Sequence, residues 1–174
     1  MLVIEPELRE DNRGWFMETF STAKFAANAE EYGLPTEFKQ DNHSFSYKNV
    51  IRGLHCQFDP PQGKLVRCVR GTILDVAVDI RRDSPRFRQW VGVELTAANR
   101  RMLWIPEGFA HGFSVLSDEA DVVYKCTTLW NQKGEIAIRW NDPSIGVDWQ
   151  VKDPVVGLRD LDAPFLDAVE ITSP

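Results

Sequence analysis

Between residues 73 and 80 the chain alternates with period two. Leu74, Val76, Val78 and Ile80 fall on one side, and Asp75, Ala77 and Asp79 on the other. That is a strand with two unlike faces, one packing on apolar neighbours and one carrying carboxylates into something polar. In a closed barrel a polar interior is a ligand cavity. Short strand-like runs recur at residues 37–46, 50–57, 64–70, 72–81, 89–95, 101–105, 111–117, 121–130 and 135–140, and Gly, Pro, Asn or Asp punctuates most of the gaps. Residues 1–8 read as an edge strand, 11–14 as a turn and 15–20 as a second strand. Only residues 21–31 carry a helical signature, with Ser21 as N-cap, a high alanine content and Gly33 just beyond the end. A short helix is also expected at 158–161. Many short strands with few helices predict an all-β sandwich or barrel, not βαβ units. No linker, repeat or low-complexity segment divides residues 1–174, which read as one domain.

Composition narrows the function classes. With 174 residues, 43% of them hydrophobic, the chain can bury a sizeable core. A formal net charge of −6 argues against nucleic acid, whose binding needs concentrated Lys and Arg. The densest basic run, residues 81–88, sits at a turn and reads as a solvated loop or an anion contact. The first residues lack the layout of a signal peptide, and no apolar run is long enough for a bilayer. Cys56, Cys68 and Cys126 are an odd set without CxxC spacing, so the expected setting is cytoplasmic, without disulfides or membrane.

The candidate chemistry is proton transfer. Pro106–His111 has the spacing P-x-G-x-x-H, resembling the second motif of the cupin jelly rolls. The earlier element reads His55-Cys56-Gln57, so the second histidine of a metal-binding cupin is missing, and His43 is the only other one. Two imidazoles without a clear carboxylate fall short of a usual ligand set, and no metal is expected. In a strand His55 and Gln57 converge while Cys56 points away, which makes Cys56 a buried small hydrophobe, not a nucleophile. His55 is the natural base, although a lone histidine is as readily a satisfied core residue. Lys64 is placed to hold an oxyanion, a carboxylate to orient the imidazole, and Tyr124 to donate a proton; Tyr124 alone is as readily a core aromatic. A base, an acid and a cation around one cavity suit enolate formation beside a carbonyl.

Ordered blocks along nearly the whole chain resemble one family: DNRGWFMETF (11–20), QDNHS (40–44), RGLHCQ (52–57), QGKLVR (62–67), DVAVDIR (75–81), IPEGFAHGFSVLSD (105–118), YKCTT (124–128), WNDPSIGVDW (140–149) and RD (159–160). They are similar to the dTDP-4-dehydrorhamnose 3,5-epimerases of the RmlC type, which are metal-free, cupin-like jelly rolls without redox cofactor. The resemblance implies that His55 abstracts the C3 and C5 protons of a 4-keto-6-deoxyglucose ring, with Asp160 paired to it. It implies that Tyr124 returns a proton on the opposite face and that Lys64 lies near the C4 oxygen. Gln40, Asp41, Asn42, Arg52, His111, Glu135 and Arg159 match substrate-contact positions. Arg13 and Glu18 match an N-terminal strand that crosses into the neighbouring site of a homodimer. Arg52 carries a tension, because strict alternation puts it opposite His55 unless a bulge intervenes.

Where the family usually has tyrosines near the base and sugar, this chain has Leu129 and Trp130, and the tail around 156–160 lacks the common serine and lysine. These departures bear on substrate identity. A C3-only or C5-only epimerase, or one acting on another nucleotide-linked 4-keto sugar, is the alternative within the class. A silent sugar-nucleotide binding module and a metal-dependent cupin enzyme are the rivals outside it.

Overall fold

The computed structural model describes residues 1–171. Its elements in chain order are β1 (Leu2–Ile4), β2 (Leu8–Asp11), β3 (Gly14–Met17), α1 (Thr22–Tyr32), β4 (Gln40–Tyr47), β5 (Val50–Gln57), β6 (Lys64–Arg70), β7 (Thr72–Asp79), β8 (Trp90–Thr96), β9 (Met102–Ile105), β10 (Phe109–Val115), β11 (Glu119–Cys126), β12 (Glu135–Ala137), β13 (Val155–Val156) and α2 (Leu158–Leu161). A five-stranded sheet runs β1-β9-β6-β11-β4. A second sheet runs β12-β5-β10-β7-β8, with β13 also pairing β5. β2 and β3 form a separate hairpin that joins neither. This is the cupin-like jelly roll expected from the blocks above.

Alternation decides which side chains meet. On β7, Leu74, Val76 and Val78 face outward and join Ile51, Leu54, Ile138 and Trp149 in one apolar cluster. Ile73 and Ala77 face inward, with Val66, Leu103, Phe113 and Val122, in the filling between the sheets. The outward face is buried because the chain after β12 folds back over it. Asp142 pins that return. Its carboxylate accepts the backbone N–H of Leu166 at 2.6 Å and of Ser144 at 2.7 Å. The basic run serves the same end: Arg82 donates to the Val169 carbonyl at 3.1 Å, and Arg88 pairs with Asp167. Part of that run is thus structural, not a free solvated loop. On the other sheet, α1 lays Phe25 against Leu65, Met102 and Trp104. Ser21 accepts from the Lys24 N–H, and Gly33 closes the helix at φ 63°, as the cap residues predict.

One irregularity matters for the site. His111 on β10 pairs with His55, but Phe113 pairs with Arg52, so β5 spends one residue more than its neighbour. The extra residue is a β-bulge, and it turns Arg52 and His55 to the same side. Only glycine fits there. Gly53 has φ 137°, and a Cβ on it would stand 2.6 Å from the Gly112 Cα.

Several strands end earlier than the pattern predicts. Residues 121–130 read as one run, yet β11 stops at Cys126, because Thr127 and Thr128 turn to loop partners: the Thr127 hydroxyl accepts the Gly63 N–H, and the Thr128 hydroxyl donates to the Pro61 carbonyl. β3 stops at Met17, freeing Phe20 to pack edge-on against Phe25.

Burial alone would raise the Asp142 carboxyl pKa, but the hydrogen bonds from Leu166 and Ser144 outweigh it and hold it below the ordinary value. A lowered folded pKa contributes stability that is fully present above the unfolded carboxyl pKa and is lost as pH falls through the folded one. Asp142→Asn should therefore lower the denaturation midpoint at neutral pH and flatten its acid limb, which melting curves across pH check directly.

Candidate active site

A cavity of about 520 Å3 opens between the two sheets. One wall is the first sheet. Gln40 and Asn42 of β4, Lys64 of β6 and Tyr124 of β11 point into it. The other wall is the second sheet, with Arg52 and His55 of β5, His111 of β10 and Glu135 of β12. Trp130 stands at the side, and Arg159 and Asp160 arrive from α2.

His55 and Asp160 form the centre. The imidazole Nε2 lies 2.6 Å from Asp160 Oδ1, and Oδ2 accepts the Gly53 N–H at 3.1 Å. Gly53 has that N–H to give because the bulge takes it out of the strand ladder. Asp160 is only 7% exposed. Burial pushes its pKa up, but the hydrogen bond and charge of His55, the Gly53 N–H and the Arg159 charge pull harder and leave it below the ordinary carboxylate value. An ionised carboxylate held this way fixes the orientation of the ring, and the other ring nitrogen is left to face a substrate.

Tyr124 faces this pair from the opposite sheet. Its phenol pKa is raised, first by burial and then by the acidic groups Cys126 and Glu135 nearby, so it is a protonated donor at neutral pH. Arg52 is held by neutral partners, donating to the Ser46 hydroxyl at 2.9 Å and the Phe45 carbonyl at 3.1 Å. Neither Arg52 nor Lys64 has an ion-pair partner among the described residues, which leaves two uncompensated cations in a partly closed space. Arg159 pairs with Glu135 at 2.7 Å, and Glu135 also accepts the Trp130 indole N–H at 2.9 Å. Such a cavity suits an anionic ligand.

Other candidates fall elsewhere. Asp41 lies between Gln40 and Asn42, so the pleat turns it outward, where it pairs with Lys125 at 2.8 Å. Arg13 pairs with Asp11 at the hairpin tip, its side chain 85% exposed. Glu18 pairs with Lys24 at 3.0 Å. None of these three lines the cavity of its own chain. His43 faces outward, to Asp121. Cys56 packs in the outer apolar cluster, and burial pushes its thiol up to about 12, so it is no nucleophile.

The interior carboxylates of β7 divide. Asp79 is taken by Arg81 and Ser84, each at 2.6 Å, away from the cavity. Asp75 is fully buried and meets His111 Nε2 at 2.8 Å. The pairing was concealed in sequence by a separation of 36 positions, although the polar face of β7 announced the carboxylate. Among the described residues no group of three or more His, Cys, Asp or Glu side chains is arranged to hold a metal. Among the same residues no helix is long and apolar enough to cross a membrane.

Comparison with known proteins agrees with this geometry. The family model described as dTDP-4-dehydrorhamnose 3,5-epimerase matches residues 1–168. The dTDP-4-dehydrorhamnose 3,5-epimerase of Shigella flexneri is 52% identical over 170 residues, covering 97% of this chain and 92% of its own length. A dTDP-4-dehydrorhamnose 3-epimerase of Streptomyces niveus is 38% identical, covering 94% of this chain and 78% of its own. The crystal structure of the 3,5-epimerase RmlC from Legionella pneumophila Philadelphia 1, in complex with dTDP-4-keto-L-rhamnose, matches with a TM-score of 0.90 at 45% identity, over 97% of this chain and 88% of that one. With a dyad, a facing tyrosine and a cationic cavity on a fold that matches over nearly its whole length, this chain belongs to the dTDP-4-dehydrorhamnose 3,5-epimerase family.

Proposed function

We propose that the protein is an isomerase that inverts C3 and C5 of dTDP-4-keto-6-deoxyglucose, giving dTDP-4-keto-L-rhamnose by proton transfer through an enolate. The observation that carries this reading is that His55 enters the cavity from one sheet and Tyr124 from the other. Inversion at carbon requires a proton to leave one face of the ring and another to arrive on the opposite face. A ring lying between the sheets has a base on one side and a phenol on the other.

The steps follow from the residues. His55 takes the proton beside the ketone, and Asp160 stabilises the imidazolium that results. Charge then gathers on the C4 oxygen, where the unpaired ammonium of Lys64 offsets it in a space partly shielded from water. Tyr124 delivers a proton to the far face. The same constellation acts twice, once beside each side of the ketone. Arg52 and Arg159 provide planar donor forks for the diphosphate, and His111, Gln40 and Asn42 complete the contacts around the substrate. Trp130 takes over the aromatic surface that Leu129 cannot offer.

The working unit in this reading is a homodimer. Among the described residues β4 pairs only with β11, so its other edge is open beside Gln40 and Asn42. The β2–β3 hairpin joins neither large sheet and shows Trp15 and Phe16, 50% and 65% exposed. A partner's hairpin laid against that edge would cover both features and bring its Arg13 and Glu18 to this cavity; Asp41, on the same strand, would then meet the partner rather than the sugar. Three unpaired cysteines suit a reducing, cytoplasmic setting.

Incubation with dTDP-4-keto-6-deoxyglucose in heavy water tests the core of the proposal, with two deuterium-labelled ring carbons expected. One labelled carbon would mean a mono-epimerase. His55→Ala should abolish uptake at both positions, and exchange surviving at either would remove His55 as the sole base. Tyr124→Phe should slow turnover by roughly 10²–10⁴-fold, the span of a general acid; an unchanged rate would assign the donor elsewhere. Arg13→Ala should raise KM without altering the mass of the dimer seen by analytical ultracentrifugation. A fully active monomer would contradict the crossing hairpin.

A further inference from the structure

Gln57 follows His55 by two positions on β5, so its side chain also points inward. It is 2% exposed and does not line the cavity. Its amide is directed instead at the turn after β5 and at the loop between β11 and β12. Nε2 donates to the carbonyls of Pro60 at 2.9 Å and Leu129 at 3.1 Å, and Oε1 accepts the Asn131 N–H at 2.8 Å. Those last two groups bracket Trp130, one on each side. The Trp130 N–H itself donates to Gln40 Oε1 at 2.8 Å, and its indole N–H to Glu135. The loop has no ladder of its own to hold it, yet the backbone on both sides of Trp130 is fastened by a side chain rooted two residues from the base.

We propose that Gln57 is a positioning residue for substrate binding. It sets residues 128–131 so that the indole of Trp130, 53% exposed at the cavity mouth, presents a fixed aromatic face to the planar base of the nucleotide sugar. The inference rests on the epimerase reading above and adds to it the device by which the nucleotide end is gripped. The chemistry demands an amide: two carbonyls need a donor and an N–H needs an acceptor, all at one buried point. A glutamate has the shape but no N–H, so its carboxylate would face two carbonyl oxygens. A methionine fills the space and makes none of the bonds.

The test compares KM and kcat for dTDP-4-keto-6-deoxyglucose in the wild type, Gln57→Glu, Gln57→Met, Trp130→Ala and the Gln57→Met/Trp130→Ala double variant. Either change at Gln57, and Trp130→Ala, should raise KM about tenfold, the size of one base-stacking contact, with kcat little altered. The double variant should bind no worse than Trp130→Ala, because both act through one indole. The fluorescence change on adding dTDP should be lost in Trp130→Ala and reduced in the Gln57 variants. An unchanged KM in whichever Gln57 variant folds overturns the proposal, as do effects that multiply in the double variant. Turnover by the wild type without such dependence sinks only this role for Gln57, whereas no wild-type turnover sinks the epimerase reading with it.

Discussion

The contact between Asp160 and His55 joins residues 105 positions apart and makes two unlike parts of the molecule one site. Each side needs the other. Asp160 lies on a helix of only four residues, with no core of its own. It can stay ionised while buried because an imidazole and a backbone N–H are aimed at it. His55 lies on a strand that would present any histidine to the cavity, but the carboxylate fixes the orientation of its ring. The bulge at Gly53 serves both partners, since it frees the N–H that Asp160 accepts and turns Arg52 toward the cavity.

Around that pair the sandwich divides its interior by chemistry. Phe113 and Tyr124 mark the boundary, with apolar side chains filling one part and the polar cavity the other. Burial raises the Tyr124 phenol and the Cys126 thiol, keeping both neutral, while directed hydrogen bonds overcome burial at Asp160 and Glu135 and keep those charged. The same shielding thus yields acids of opposite character, according to whether donors point at them. A base, a proton donor and an unpaired cation can then coexist within one small volume without neutralising each other.

Much of this was legible along the chain. Period-two runs placed β5 and β6 at their observed limits, Ser21 and Gly33 bounded the helix, and alternation separated Cys56 from His55 and Gln57. Long-range partners were not legible from pattern alone. Nothing local tells that Asp75 meets His111, that Asp142 pins the return of the chain, or that Arg88 reaches Asp167; these depend on where strands lie in the sheets. Asp41 shows the reverse case, in which period two places a side chain outward while resemblance alone had grouped it with its neighbours. The loop after β11 was misread as strand because its hydroxyls and apolar residues fit a strand, and its true shape is set by a buried glutamine and two threonines acting from outside the local pattern.

The return of the chain over the second sheet has a further consequence, for synthesis. Every strand that shapes the cavity, from β4 to β12, precedes Asp160 in the order of translation. A chain stopped just before Asp160 would contain every other residue of the cavity wall but lack the carboxylate that orients the imidazole. The His55–Asp160 pair is therefore completed only by the segment that follows β13, after every strand of both sheets has been made.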